Sequence, residues 1–380
     1  MRIGIFETDH FEVSHTLIRL FQLPGNQLTI FTEPFSWHQF RQMPDIAHQE
    51  HRWMIKKEGQ SKASFIFQLY REVKQQKIEL LYLGTVTDNF IFYAWLVKAL
   101  PHVRILLTIH DINSYFHYQE NGSLRRRLRN IGKRRLVKVV EEFSVINSTM
   151  VDYLQSLLPA GKSVRHIPGS FFDEENYVPP PASLEPIQLV VPGSVDSRRR
   201  DYNAVFGLLD SCREQQLDIV VTLLGGFYQE PGMRLMKRVL EYAAQYPNLR
   251  WFEETVVPQP VFDEVMQAAH FVLAPSVIST VISDGVREEY GVSMSSGNIS
   301  DIVRYARPAI IPAALVTGPE ISHIAIRYQS VKEIPEQLKL LRDHPDKYLA
   351  IQQRALAGSG AFTLDAIRMQ HPDLFTEVNS

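Results

Sequence analysis

Four short segments of the sequence gather residue types that could do chemistry. Leu106-Leu-Thr-Ile-His-Asp-Ile112 is an apolar run that delivers a neighbouring pair, His110 and Asp111. Val191-Pro-Gly-Ser-Val-Asp-Ser-Arg-Arg-Arg-Asp-Tyr202 places Arg198, Arg199 and Arg200 between an apolar run and a helical stretch. Glu288-Glu-Tyr-Gly-Val-Ser-Met-Ser-Ser-Gly-Asn-Ile299 sets two carboxylates ahead of a tyrosine-glycine pair, and its Ser295-Ser-Gly-Asn298 opens a further helical stretch. The turn after the first apolar run reads Glu7-Thr-Asp-His10. Guanidinium groups and the open N–H groups of a helix start are the donors that a phosphate needs. A carboxylate such as Glu288 or Glu289 accepts hydrogen bonds from hydroxyl groups. A histidine titrates where proton transfer is useful. Each set also has a plainer reading. Arg198–Arg200 suits a solvated turn, Ser295–Asn298 a helix cap with a packing glycine, Glu288–Glu289 an exposed acidic turn, His110 a satisfied structural histidine, and Asp9 a cap.

Other chemistries fail on pattern. A nicotinamide-type site needs G-x-G-x-x-G after a first strand, so that backbone can approach a pyrophosphate. The first turn here has no glycine, and the later Gly225-Gly226 pair lacks the third. No G-x-x-x-x-G-K-[ST] loop occurs. Cys212 is the only cysteine, which excludes an intrachain disulfide and a cysteine-ligated zinc site and suits a reducing compartment. No carboxylate cluster points to a divalent ion, so neither metal nor cofactor is expected.

The elements that must position these residues alternate short apolar runs with longer amphipathic stretches, which predicts repeated βα units and parallel sheets. In the first half, strands are predicted over Arg2–Phe6, Leu28–Phe31, Glu79–Leu83, Val103–Ile109, Phe143–Ile146 and Val164–Ile167. Helices are predicted over Phe11–Phe21, Phe65–Gln75, Asn89–Leu100 and Leu124–Val140, with Ser123 and Ser148 at capping positions. Pro34–Gln60 reads as a loop with one helix at most. Val178-Pro-Pro-Pro-Ala182 with Pro186 then interrupts both helix and ladder pairing. Beyond it the alternation restarts, with strands over Gln188–Val191, Ile219–Leu224, Leu249–Phe252, Phe271–Ala274 and Ala309–Pro312. The helices between and after them are Tyr202–Gln215, Gly232–Gln245, Val261–Ala269, Ile299–Tyr305 and Ile334–Asp343. The expectation is two α/β domains, residues 1–177 and 187–361, with residues 362–380 returning to the first after Gly358-Ser-Gly360. Two such sheets place their carboxyl strand ends around one cleft.

The 380 residues are 45% hydrophobic and 22% charged, ordinary for a globular chain with a core in each domain. The net charge of −2 divides into +4 over residues 1–175 and −6 over the rest, too little to suggest nucleic acid as a partner. Met1-Arg-Ile-Gly-Ile-Phe6 opens as a strand, so no signal peptide is expected, and no apolar run is long enough to span a bilayer. A cytoplasmic protein follows. One charged feature stands out. Residues 125–138 contain eight Lys/Arg, with Leu124, Leu128, Ile131, Leu136 and Val139 on the same predicted helix. Such a helix could meet an anionic membrane surface from the cytoplasmic side, or simply pack its apolar stripe on its own sheet.

In this order and spacing, Leu106–Ile112, Val191–Tyr202, Phe262–Ser276 and Glu288–Ile299, the last followed by Arg307-Pro-Ala-Ile-Ile-Pro312, resemble the nucleotide-sugar-dependent glycosyltransferases of the GT-B fold, particularly their retaining group, while Thr8-Asp9-His10 stands where the family often has glycines. The likeness spans nearly the whole chain. It implies two Rossmann-like domains facing a central cleft and transfer of a sugar from a nucleotide donor to a saccharide or lipid-linked acceptor. Glu289-Tyr290-Gly291 matches the first part of the family's Glu-x7-Glu motif, whereas Gly297 stands where the second Glu belongs. The resemblance implies His110 and Glu289 as catalytic residues. It implies Arg198, Arg199, Gly225, Glu288, Ser295, Ser296, Gly297 and Asn298 at the donor, and Thr8, Asp9, His10 and Asp111 at the acceptor. A nucleotide-sugar epimerase of the same fold, or an inert subunit supporting a partner transferase, is the alternative.

Overall fold

Short runs rich in Ile, Leu and Val, buried on both faces, form parallel strands because helices cover both sides of the sheet. A computed structural model describes residues 1–47, 51–117, 123–227, 229–281 and 285–375. The first sheet comprises β1 (Arg2–Phe6), β2 (Gln27–Thr32), β3 (Arg52–Ile55), β4 (Leu80–Leu83), β5 (Arg104–Thr108), β6 (Glu142–Val145) and β7 (Ser163–His166). The second comprises β8 (Ile187–Pro192), β9 (Ile219–Leu224), β10 (Leu249–Trp251) and β11 (Phe271–Leu273), followed by a small hairpin, β12 (Ser279–Thr280) and β13 (Glu288–Glu289), and then β14 (Ala309–Pro312) and β15 (Ala325–Tyr328).

Among the described residues both sheets are parallel throughout, in the orders β3-β2-β1-β4-β5-β6-β7 and β10-β9-β8-β11-β14-β15. Each therefore starts in its middle and reverses direction there, beside β1 and beside β8. At that reversal the loops leave the carboxyl strand ends in opposite directions and open a crevice.

The first domain's helices are α1 (Phe11–Phe21), α2 (Pro34–Phe40), α3 (Pro44–Ala47), α4 (Lys62–Gln75), α5 (Phe90–Ala99), α6 (Ile112–Phe116), α7 (Leu124–Val139) and α8 (Val151–Leu157). The second's are α9 (Tyr202–Glu214), α10 (Gln229–Ala243), α11 (Gln259–Ala268), α12 (Gly297–Tyr305), α13 (Pro319–Ser322), α14 (Ile334–Asp343) and α15 (Pro345–Gly360). Two last helices, α16 (Leu364–Gln370) and α17 (Pro372–Phe375), lie against the first sheet's layer. Ile367 and Leu374 are buried beside Phe21, and Arg368 donates to the carbonyls of Arg19 and Leu20 at the end of α1.

The structure corrects the sequence reading at four places, each for a local reason. Pro34–Gln60 holds two helices and the edge strand β3, whose Trp53 packs on Trp37 and Phe40 and whose Met54 packs on the opposite core. The edge strand β15 was also missed; neither strand has the fully buried apolar run that marks an interior one. Helix α15 was missed; it ends in Gly358-Ser-Gly360, and the last helical segment starts beyond it as expected. A Cβ on Gly358 would lie 2.8 Å from the Glu320 carbonyl oxygen, so this glycine lets α15 run close to α13. Ser148 is not a cap; it begins a 3-10 turn, and its hydroxyl donates to Glu320 of the second domain at 3.1 Å.

The linker is anchored rather than loose. Arg307 is wholly buried and spends its guanidinium on the carbonyls of Val178, Tyr305, Met266 and Gln267, the last two at the carboxyl end of α11. A cation there complements the helix dipole. His270 meets the Ser183 carbonyl at 2.7 Å, and Leu184 enters the second core.

Candidate active site

The first-domain wall is built where β1, β4 and β5 end. Glu7 follows β1 directly and is buried. Its carboxylate accepts from the amides of Asp9 (2.8 Å), His10 (3.0 Å) and Thr85 (2.7 Å) and from the Thr85 hydroxyl (3.0 Å). Burial pushes this carboxyl up, against the opposing pull of His10 and of the three amides. Thr85 Oγ1 also lies 3.0 Å from His110 Nε2. With Glu7 ionised, the threonine proton goes to Glu7, so Thr85 accepts and His110 carries its proton on Nε2. The His10 and His110 rings lie 5.0 Å apart. Burial, and then the charge of His10, push the His110 imidazole down to about 3. This favours the neutral imidazole near pH 7. Its Nδ1 is left as an acceptor.

Glu7 was quoted in the sequence but not singled out. The signal was available: a carboxylate directly after a buried strand and ahead of a helix start meets unpaired amides. Asp9 and His10 are exposed, while Thr8 and Asp111 are half-buried.

The second-domain wall is built largely from backbone. Gly193, with φ +83°, opens the loop after β8, and a Cβ there would meet Arg200 Nη2 at 2.6 Å. A Cβ on Gly225 would fall 2.3 Å from the Gly193 carbonyl oxygen, so that glycine exists for loop-to-loop contact. Arg200 is buried and donates to the carbonyls of Ser194 (2.8 Å) and Pro192 (2.5 Å). Asn298 donates to the same Pro192 carbonyl at 3.0 Å, which ties the start of α12 to β8. Arg198 pairs with the buried Asp196 through Nε and Nη2 and reaches Gln229. Burial of Asp196 opposes its charge, yet the bonds from Arg198 and the charges of Arg198 and Arg199 hold it below the usual carboxylate range. Arg199 makes a long contact to Asp196, at 3.7 Å, also interacts with the Tyr290 side chain, and remains partly open. Ser296 is buried at the cap of α12, Ser295 is half-buried, and Gly297 is exposed with open space where a Cβ would project.

The two walls meet. Asp111 bridges Met294, Ile112 N donates to the Ser293 carbonyl at 2.7 Å, and Ser295 N donates to the His110 carbonyl at 3.2 Å. Two segments recognised separately in the sequence are thus bonded to each other. Glu288 belongs to this junction and is not open to the cleft. Its carboxylate accepts from the amides of Ser114 (2.7 Å) and Asn113 (3.2 Å) at the start of α6 and from the Ser293 hydroxyl (2.6 Å). Burial raises it to about 7 even so. Glu289, next to it, is exposed. The turn after it requires Gly291, at φ +81°, where a Cβ would sit 2.1 Å from the Val316 carbonyl oxygen. A separate groove of 590 Å³ between β8–β10 and α11 is lined by none of these residues. Among the described residues no group of three or more His, Cys, Asp or Glu side chains could hold a metal ion.

No family model matches the sequence, and no curated protein matches it significantly. Solved structures do. The chain is similar to sucrose-phosphate synthase from Thermosynechococcus elongatus, with TM-score 0.67 and 13% identity over 99% of this chain and 98% of that one. It is also similar to a lipopolysaccharide outer core galactosyltransferase in its apo form, with TM-score 0.57 and 11% identity over 98% of each chain. UDP-GlcNAc 2-epimerase from Neisseria meningitidis, bound to UDP-GlcNAc, gives TM-score 0.57 and 11% identity over 98% of each chain. The chain has the GT-B fold: two Rossmann-like parallel-sheet domains with helices on both faces.

Proposed function

We propose that the protein is a nucleotide-sugar-dependent glycosyltransferase that moves a hexosyl unit to a saccharide or lipid-linked acceptor in glycan or polysaccharide biosynthesis. The observation that carries this reading is the junction itself: the His110 loop and the Met294–Ser295 loop, at the carboxyl ends of the two sheets, are hydrogen-bonded to each other. A donor would lie on the second domain. Its diphosphate would take Arg199 and the amides at the start of α12, beside Ser296 and the exposed Gly297, and these charges balance it without a metal. Arg198 contributes field rather than a free hand, being tied to Asp196. Glu289 is the exposed carboxylate for donor-sugar hydroxyls, and Gly225 shapes the loop beneath. The acceptor would approach Thr8, Asp9, His10 and Asp111, with His110 Nδ1 accepting from a hydroxyl. A dry cleft would strengthen these contacts as the leaving group takes up charge. Retention of configuration follows from the match of Glu289-Tyr290-Gly291 to the retaining group.

Among the described residues no helix is long and apolar enough to cross a membrane. A cytoplasmic protein, held peripherally where the acceptor is lipid-linked, completes the reading.

The test is turnover of a panel of nucleotide sugars by the purified protein, with and without saccharide and lipid-linked acceptors. Sugar transfer that falls about a hundredfold in Glu289→Gln, roughly 2.7 kcal/mol of transition-state stabilisation, supports it. Full activity in Glu289→Gln and His110→Ala would overturn the site. Interconversion of the nucleotide sugar without acceptor would favour the epimerase, which the fold likeness to UDP-GlcNAc 2-epimerase keeps in view. Binding without turnover would favour an inert subunit, consistent with Gly297 in place of a second Glu.

A further inference from the structure

Helix α7 carries two apolar faces, not one. Gly132, Leu136 and Val137 are buried, and a Cβ on Gly132 would already touch the Ile91 amide nitrogen at 2.9 Å, so this side lies hard against α5. Lys133 belongs to the same inner side, donating to the Ser114 carbonyl at 2.7 Å between the rings of Phe90 and Tyr115. Leu124, Leu128 and Ile131 point elsewhere. They recur at i, i+4 and i+7, about 150° around the helix from the buried side at 100° per residue, and are 74%, 59% and 44% exposed. Arg135 continues their row, with Arg125, Arg127 and Lys138 exposed along its flanks. One apolar face packs inward, and a second faces outward.

Charge says what the outward face meets. The helix contains no acidic residue, and Arg125, Arg126 and Arg127 occupy its first turn, where cations oppose the helix dipole. On the neighbouring α5, Ile91 and Trp95 are each 38% exposed, one turn apart, and Trp95 lies against Phe67 of α4. The amino-terminal half of α7 is fixed to the cleft side, because Arg129 donates to the Thr87 carbonyl in the loop after β4.

We propose that this outward face docks on the surface of a bilayer rich in anionic lipid, with Leu124, Leu128 and Ile131 entering the headgroup region and the flanking arginines meeting lipid phosphates. The orientation presents the first-domain side of the cleft to the membrane. The proposal rests for its purpose on the lipid-linked acceptor reading, but lipid binding is measured without turnover, so either can fail alone.

The experiment is flotation of the full chain with vesicles of phosphatidylcholine alone, or mixed with an equal part of phosphatidylglycerol. Binding is expected only to the anionic vesicles, weakening as salt rises. Arg125→Glu, Arg127→Glu and Arg135→Glu combined should lower the bound fraction about tenfold or more. Leu124→Ser, Leu128→Ser and Ile131→Ser combined should leave a weak binding that salt abolishes completely. Both variants should melt like the parent, since every altered side chain is exposed. Absence of flotation at low salt would overturn the proposal, as would parent-like flotation by both variants. So would retention on immobilised RNA without vesicle binding.

Discussion

The two walls of the cleft share a strand order and differ in what they are made of. On the first domain, one buried carboxylate organises the loops: Glu7 gathers the ends of β1 and β4 and, through Thr85, sets the tautomer of His110. On the second, glycines let backbones touch, Gly225 on Gly193 and Gly226 on Thr255, while a buried arginine, Arg200, ties the Pro192–Ser194 turn from within. A wall made of a side-chain network responds to protonation and to single polar substitutions. A wall made of backbone contact responds to added volume and leaves its outward side chains free to differ. The junction between them joins both styles, since Glu288 is a carboxylate that binds the backbone of the opposite domain.

The largest effect expected from breaking this contrast is Glu7→Leu. It strands four donors in a buried site and should cost about 4 kcal/mol in chemical denaturation, with Glu7→Gln costing much less. Gly225→Ala attacks the other wall by volume alone. Its Cβ has no flexible side chain to displace, and about 3 kcal/mol should be lost in the same measurement.

Glu288 sharpens the comparison through pH. Its folded value of about 7 lies above the ordinary 4.5, so the folded protein binds the extra proton between those values. Stability should therefore fall as pH rises from 4.5 to 7, by up to about 3 kcal/mol from this group. Glu288→Gln should flatten that part of the curve; urea titrations at the two ends of the window would read it.

Arg199→Ala should leave stability unchanged and weaken nucleotide-diphosphate binding by about 2 kcal/mol, roughly thirtyfold in Kd by calorimetry. Arg200→Ala, by contrast, should show mainly as lost stability. The smallest effect is Gly297→Ala, which has open space and should stay within about 0.5 kcal/mol of the parent in stability.

Much of the fold was legible because its signals are local. The alternation of buried strands and amphipathic helices, the proline break, and the positions of α1, β9, β14 and α14 follow from side-chain periodicity within a few residues of chain. The motif segments were legible too, through residue type and spacing. Tertiary structure decided how those residues are used. Glu288 and Glu289 are neighbours of one kind, yet the first is consumed by amides 174 and 175 residues away and the second is exposed. Arg198, Arg199 and Arg200 are identical in sequence, and only their surroundings separate the paired, the open and the buried one. His110 is neutral near pH 7 because burial and His10 disfavour its charge, which no pattern in its own segment encodes. Likewise the sequence fixes that α7 is basic and amphipathic, but which apolar residues face inward depends on where α5 lies. Periodicity is a property of one segment, whereas burial and hydrogen-bond partners belong to pairs of segments that only the folded chain brings together.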